Sequence, residues 1–147
     1  MCYTGVLFEE EVLCKCTWSW KTSGYVPYKK AIAEVRNNQP KGYDPTDPNN
    51  PAMNDLHCLL CEELSIEDYS DMKLYTAVGS ALDRFHGVDA FFEWQGYVVT
   101  IDVKVPSGYT VKANIALSEA ELYDSEGKSN VDVLEIKARE IAWHFSR

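Results

Sequence analysis

The chain is poor in positive charge. Fourteen Lys and Arg stand against 23 Asp and Glu in 147 residues, a formal net charge of −9. That balance excludes a broad basic face of the kind that grips duplex DNA by its phosphates. No apolar run approaches the ~18 residues of a membrane span. The opening MCYTGVLFEEE has no basic n-region and sets three Glu where a signal peptide stays apolar, so the expectation is a cytoplasmic protein without a membrane partner. No internal repeat is visible. What the chain does have is 46% hydrophobic and 25% charged residues, the composition of a globular domain. Its length suits one domain with a real core.

Without a secretory signal, the five cysteines are not expected to form a disulfide framework. Cys14, Cys16, Cys58 and Cys61, with His57 alongside, form one candidate structural Zn²⁺ site. The competing reading is burial, because Val12, Cys14, Cys16, Trp18 and Trp20 alternate as a strand face does.

Residues 6–21 therefore read as a strand, and Pro27 as the opening of a short helix through YKKAIAEVR. Residues 37–54 hold four of the six prolines and read as a loop. Charge changes at the same place: residues 1–54 carry six acidic and six basic side chains, so the whole excess lies in 55–147. The chain divides accordingly into an N-terminal extension (1–54) and an α/β core (55–147), packed as one domain. In the core, Ser65 and Asp68 match a capping box, and Leu74, Val78, Ala81, Leu82 and Phe85 recur at helical spacing up to Gly87. Strands AFFEW, YVVTIDVKV and YTVKANIAL follow. A last helix from about Asn130 carries the stripe Leu134, Ala138, Ile141, Ala142 and Phe145. The expected class is α+β: helix, a mainly antiparallel three-stranded sheet, helix.

The hairpin over 87–105 carries the chemistry. With a turn at Gln95-Gly96, Trp94 faces Tyr97. Ala90, Phe92, Trp94, Tyr97, Val99, Ile101 and Val103 then share an apolar face, while Asp89, Phe91, Glu93, Val98, Thr100, Asp102 and Lys104 share the other. A one-residue slip would scramble both, so the register is well determined. It sets Asp89 opposite Asp102, and like charges so placed are unfavourable by about 0.5 kcal/mol when exposed, more when desolvated. A divalent cation between them offsets that cost, and hard oxygen ligands suit Mg²⁺. Lys104 lies two residues on, on the same face. Two carboxylates and an ammonium around Mg²⁺ suit phosphodiester hydrolysis. A solvated face on which Lys104 bridges two aspartates is the bland alternative.

An Asp after a helix, an apolar hairpin, then Asp-x-Lys thirteen residues on resembles the PD-(D/E)XK nuclease superfamily, whose fold is restriction-endonuclease-like. The resemblance covers about residues 65–145. It implies that Asp89 and Asp102 bind Mg²⁺ or Mn²⁺ with the Val103 carbonyl, and that Lys104 is catalytic. Val88 stands where many members have proline. Members often carry an acidic residue on the first helix, for which Asp83 is placed best. The family's crossover helix has no room in the six residues between Val105 and Thr110, so the third strand is expected to return antiparallel. That return would set Lys112 and Asn114 beside Lys104 and Asp102 to hold a phosphate. The leading expectation is an Mg²⁺-dependent endonuclease acting on DNA, with affinity supplied by the first 54 residues, a homodimer or a partner protein. Tyr25, Tyr28, Trp18 and Trp20 lie near lysines where they can stack on bases. The alternative is a non-catalytic acidic protein that binds a protein partner or mimics nucleic acid.

Overall fold

The computed structural model describes residues 10–14, 24–104 and 112–146, with Lys104 described only by its place in its strand. Residues 10–13 form a helical turn in which Cys14 N–H donates to the Glu10 carbonyl at 3.0 Å. The strand expected over 6–21 is therefore corrected there: Val12 and Leu13 are consecutive and both buried, which a strand facing one core would not allow. The rest of that segment lies outside the described residues.

Helix α1, Tyr28–Asn37, starts where Pro27 predicts, and Ala31 N–H donates to the Pro27 carbonyl at 2.9 Å. Helix α2, Pro51–Glu63, begins inside the stretch read as a proline loop and runs across residues 54 and 55. Its signal was there: Asn50 accepts from Met53 N–H at 3.0 Å and Pro51 occupies the first turn.

The long helix expected from Ser65 is not formed. Ser65, at φ +56, follows α2, and Asp68 caps a three-residue 3₁₀ turn, Tyr69–Asp71. Strand β1, Lys73–Thr76, and helix α3, Ala81–His86, follow. The apparent helical spacing sums two elements: Leu74 and Thr76 are buried by strand alternation, and Ala81 and Leu82 by a helix of six residues.

Strands β2, Ala90–Trp94, and β3, Tyr97–Lys104, form the expected hairpin in the expected register, Trp94 opposite Tyr97 and Ala90 opposite Ile101. β1 pairs antiparallel with β2. Strand β4, Ile115–Ser118, pairs with β3 in parallel, Ile101 opposite Ile115, which corrects the antiparallel return and makes a four-stranded mixed sheet ordered β1-β2-β3-β4. β4 starts later than the YTVKANIAL pattern suggests. The connection thus has ten residues, and only about 13 Å of strand must be retraced at ~3.3 Å per residue. A four-residue helix α4, Glu119–Leu122, and helix α5, Val131–Phe145, complete the order. In α5 the buried residues are the five read from the sequence.

Helices α2 and α5 pack together and bury Leu56, Leu60, Leu134 and Ile141 against Phe92, Val99, Ile101 and Val103. Helices α1 and α3 cover the other face, where Ile32, Val35 and Leu82 enclose Phe91. The protein is α+β with its sheet covered on both faces. No described helix is long and apolar enough to cross a membrane.

Candidate active site

The connection between β1 and β2 is one turn of helix with a glycine at each end. Ser80 closes the start of α3: its hydroxyl donates to the Ala77 carbonyl at 2.6 Å and accepts from Asp83 N–H at 3.4 Å. Gly79, at φ +84, brings its own N–H to Asp83 Oδ2 at 3.0 Å. Gly87, at φ +66, ends the helix by donating to the Asp83 carbonyl at 3.1 Å. The knuckle folds the Asp83 carboxyl back toward the sheet.

Asp89 sits where that connection enters β2 and is 1% exposed. Its N–H donates to the Ile101 carbonyl at 2.9 Å, and its carbonyl accepts from Ala77 N–H at 2.7 Å. With the carbonyl committed to Ala77, Asp89 Oδ2 accepts from Val103 N–H at 2.8 Å instead. The side chain thereby serves as the acceptor for the β3 N–H beyond the last backbone pair, Ala90 with Ile101. Val103, expected to contribute a carbonyl, meets the site through its N–H, while its side chain lies in the core.

The carboxyls of Asp83 and Asp89 lie close enough to interact with each other. Burial raises the Asp83 pKa and the nearby charge of Asp102 adds to the rise, against the Gly79 N–H and the Asp89 contact, which lower it. Asp102, half-buried on β3 opposite Ala116, thus lies within electrostatic reach of the pair. The backbone of Lys104 ends β3 opposite Ser118. The register brings Asp83, Asp89, Asp102 and the backbone of Lys104 to one end of the sheet. Among the described residues, no group of three or more His, Cys, Asp or Glu is arranged to hold a metal ion.

The parallel register places Asn114 next to Thr100 rather than Asp102. Asn114 Oδ1 accepts from Thr100 N–H at 2.9 Å and from its hydroxyl at 3.0 Å, which ties down the entry to β4. The expectation that Asn114 holds phosphate beside Asp102 is corrected accordingly. Lys112 is exposed and lays its methylene stem over Gly87, where an added Cβ would meet Lys112 Cδ at 3.5 Å. That contact, Gly87, is two residues before Asp89 along the chain, and the residue opposite Lys104 is Ser118.

Of the cysteines, Cys58 and Cys61 stand one turn apart on α2, with Cys61 fully buried and its thiol pushed up to about 12 by burial. The Cys14 carbonyl accepts from the Thr76 hydroxyl at 2.7 Å, and Cys16 lies outside the described residues. On the far side of β4, Glu11, Asn50, Glu119, Tyr123 and Asp124 line an open cleft of about 990 Å³. Sequence reasoning missed the part played by Gly79 and Ser80, although Ser80-x-x-Asp83 is itself a capping pattern.

No family model, curated protein or solved structure matches the chain.

Proposed function

We propose that the protein is an Mg²⁺-dependent nuclease that hydrolyses phosphodiester bonds in DNA at the sheet end formed by Asp83, Asp89, Asp102 and Lys104. Two neighbouring carboxyls carry the reading, Asp83 held by the Gly79 N–H at 3.0 Å and Asp89 by the Val103 N–H at 2.8 Å. Two acids forced together by a helical knuckle, one of them 1% exposed, are a costly arrangement for a purely structural site. The donor set fits a hard cation, because Mg²⁺ is commonly held by one or two carboxylates together with substrate phosphates and needs no closed protein cage. Mn²⁺ suits the same donors. The PD-(D/E)XK resemblance is supported further by β4 running parallel to β3, the arrangement that family uses.

Bound there, the cation would supply Lewis acidity toward a phosphate and a lowered pKa for a water. The rest belongs to the chain. Asp83 and Asp89 would hold the cation through their carboxylates. The Val103 and Gly79 N–H groups hold those carboxylates in place at 2.8 and 3.0 Å. Asp102 adds negative charge beside them. Lys104, two residues past Asp102 in β3, is assigned to holding the attacking water or the developing charge.

The test is plasmid nicking with Mg²⁺ for wild type, Asp83→Asn, Asp102→Ala and Lys104→Ala. Each substitution is expected to lower the rate by about 10²-fold or more. An absence of both Mg²⁺ binding and cleavage of DNA or RNA would overturn the proposal. A second reading, a non-catalytic acidic domain for a basic protein partner, draws on the cleft lined by Glu11, Glu119 and Asp124. It predicts that none of these substitutions changes partner binding.

A further inference from the structure

Tyr25 and Tyr28 are exposed, at 67% and 43%, yet both are braced from beneath. The Tyr25 ring lies 5.4 Å from Phe85 and 5.6 Å from His86, and Tyr28 meets His86 edge-on at 5.6 Å. His86 Nε2 is bonded to the Val26 carbonyl at 2.8 Å, which pins the strap between the two tyrosines. The Arg84 guanidinium lies over the Phe85 ring, 5.6 Å from its centroid. Large rings that stay in water while held at fixed positions are unusual for a monomer surface and mark a contact site.

The charge around them is reversed relative to the rest of the chain. Residues 24–41 hold Lys29, Lys30, Arg36 and Lys41 against Glu34, with Arg36 paired to Glu93 at 2.8 Å, in a protein of net charge −9. Lys112 joins the same edge through its stem on Gly87, the residue after His86. Phe85 and His86 follow Asp83 within one turn of α3, about 5.4 Å of helix. The aromatic group and the carboxyl pair therefore stand at the two ends of a single turn.

From this arrangement we infer that Tyr25 and Tyr28 form a stacking platform for unpaired bases of a single-stranded nucleic acid, with Lys29, Arg84 and Lys112 along its backbone. The inference rests on the nuclease reading for its substrate class and narrows it to strands with unstacked bases. Ring faces stack on any base, whereas bases in a duplex are closed to them. The small count of basic groups suits such a strand better than a duplex, whose non-specific binding needs many phosphate contacts.

Binding is measured without metal, by fluorescence anisotropy of end-labelled thymidine or uridine strands of about fifteen nucleotides in EDTA, with a matching duplex as competitor. Wild type is expected to bind the single strand and to prefer it to the duplex. Tyr25→Ala and Tyr28→Ala should each weaken binding about tenfold or more, and Tyr25→Phe should restore it. Lys112→Glu should weaken binding and flatten its salt dependence. The relative affinity of the two strands identifies the sugar. Failure of wild type to bind either strand, equal binding by the alanine variants, or a preference for duplex overturns the platform. Tyrosine-dependent binding without cleavage in Mg²⁺ supports the platform and sinks the hydrolytic reading. Cleavage with tyrosine-independent binding sinks the platform alone.

Discussion

Replacing Asp89 separates what its carboxyl does for the fold from what it does for the site. The residue is 1% exposed and accepts from Val103 N–H at 2.8 Å. Asp89→Ala leaves that donor buried and unpaired, a cost of about 1–3 kcal/mol. For 147 residues, an unfolding entropy of about 2.1 cal/mol/K per residue makes 1 kcal/mol worth about 3 °C, so Tm should fall by about 3–9 °C. Asp89→Asn keeps an acceptor for Val103 and offers the neighbouring Asp83 carboxyl an N–H. It should unfold within about 2 °C of wild type, or above it, since one of two adjoining acids is gone. The assay is thermal unfolding with EDTA and with Mg²⁺. At a Mg²⁺ concentration about tenfold above Kd, wild type should gain about 1.4 kcal/mol, close to 4 °C, and both variants should lose that gain. Equal destabilisation by Asn and Ala would mean that the negative charge itself serves the fold. An undiminished Mg²⁺ shift in Asp89→Asn would remove the carboxyl pair from metal binding. Either result refutes the reasoning.

Glu121 provides a pH test. Burial alone would raise its carboxyl, but Lys137, at 2.9 Å, and the Ser118 N–H together hold it below the ordinary range. Its contribution to stability is therefore present above the unfolded Glu pKa and lost as pH falls through the lower folded value; Glu121→Gln should unfold about 1 kcal/mol less stably at pH 7 and show less loss in acid, read by chemical denaturation across pH 2–7. Cys61, fully buried with its thiol raised to about 12, should resist alkylation in the native state at pH 8, so that mass spectrometry finds its labelling rate following global unfolding; rapid native labelling would contradict the described packing. Gly87→Ala should cost about 1–2 kcal/mol because φ is +66 and the new Cβ would touch the Lys112 stem at 3.5 Å, and a thermal shift under about 2 °C would count against the knuckle geometry.

The hairpin was legible because it is a strictly local object. Alternation along 90–103 and a two-residue turn admit one register, which sets Ala90, at the start of β2, opposite Ile101. The C-terminal helix was legible for the same reason, with a single 3.6-residue stripe over a run long enough to average out accidents. Residues 65–86 misled because a four-residue strand, a glycine turn and a six-residue helix together mimic one helical period. Asn50-Pro51, a good helix start, was obscured by the prolines before it.

Sequence alone determined the β2–β3 register and the last helix with its five buried residues. Each depends on neighbours a few residues apart, where backbone geometry leaves one arrangement. Only the tertiary structure decided that β4 runs parallel to β3, that Asn114 serves Thr100, and that Asp83 reaches Asp89. Those outcomes turn on where a ten-residue connection lands and on how two positive-φ glycines fold a short helix back, and neither is encoded by periodicity. The acid pair on which the proposed chemistry rests therefore belongs to the fold and not to the motif.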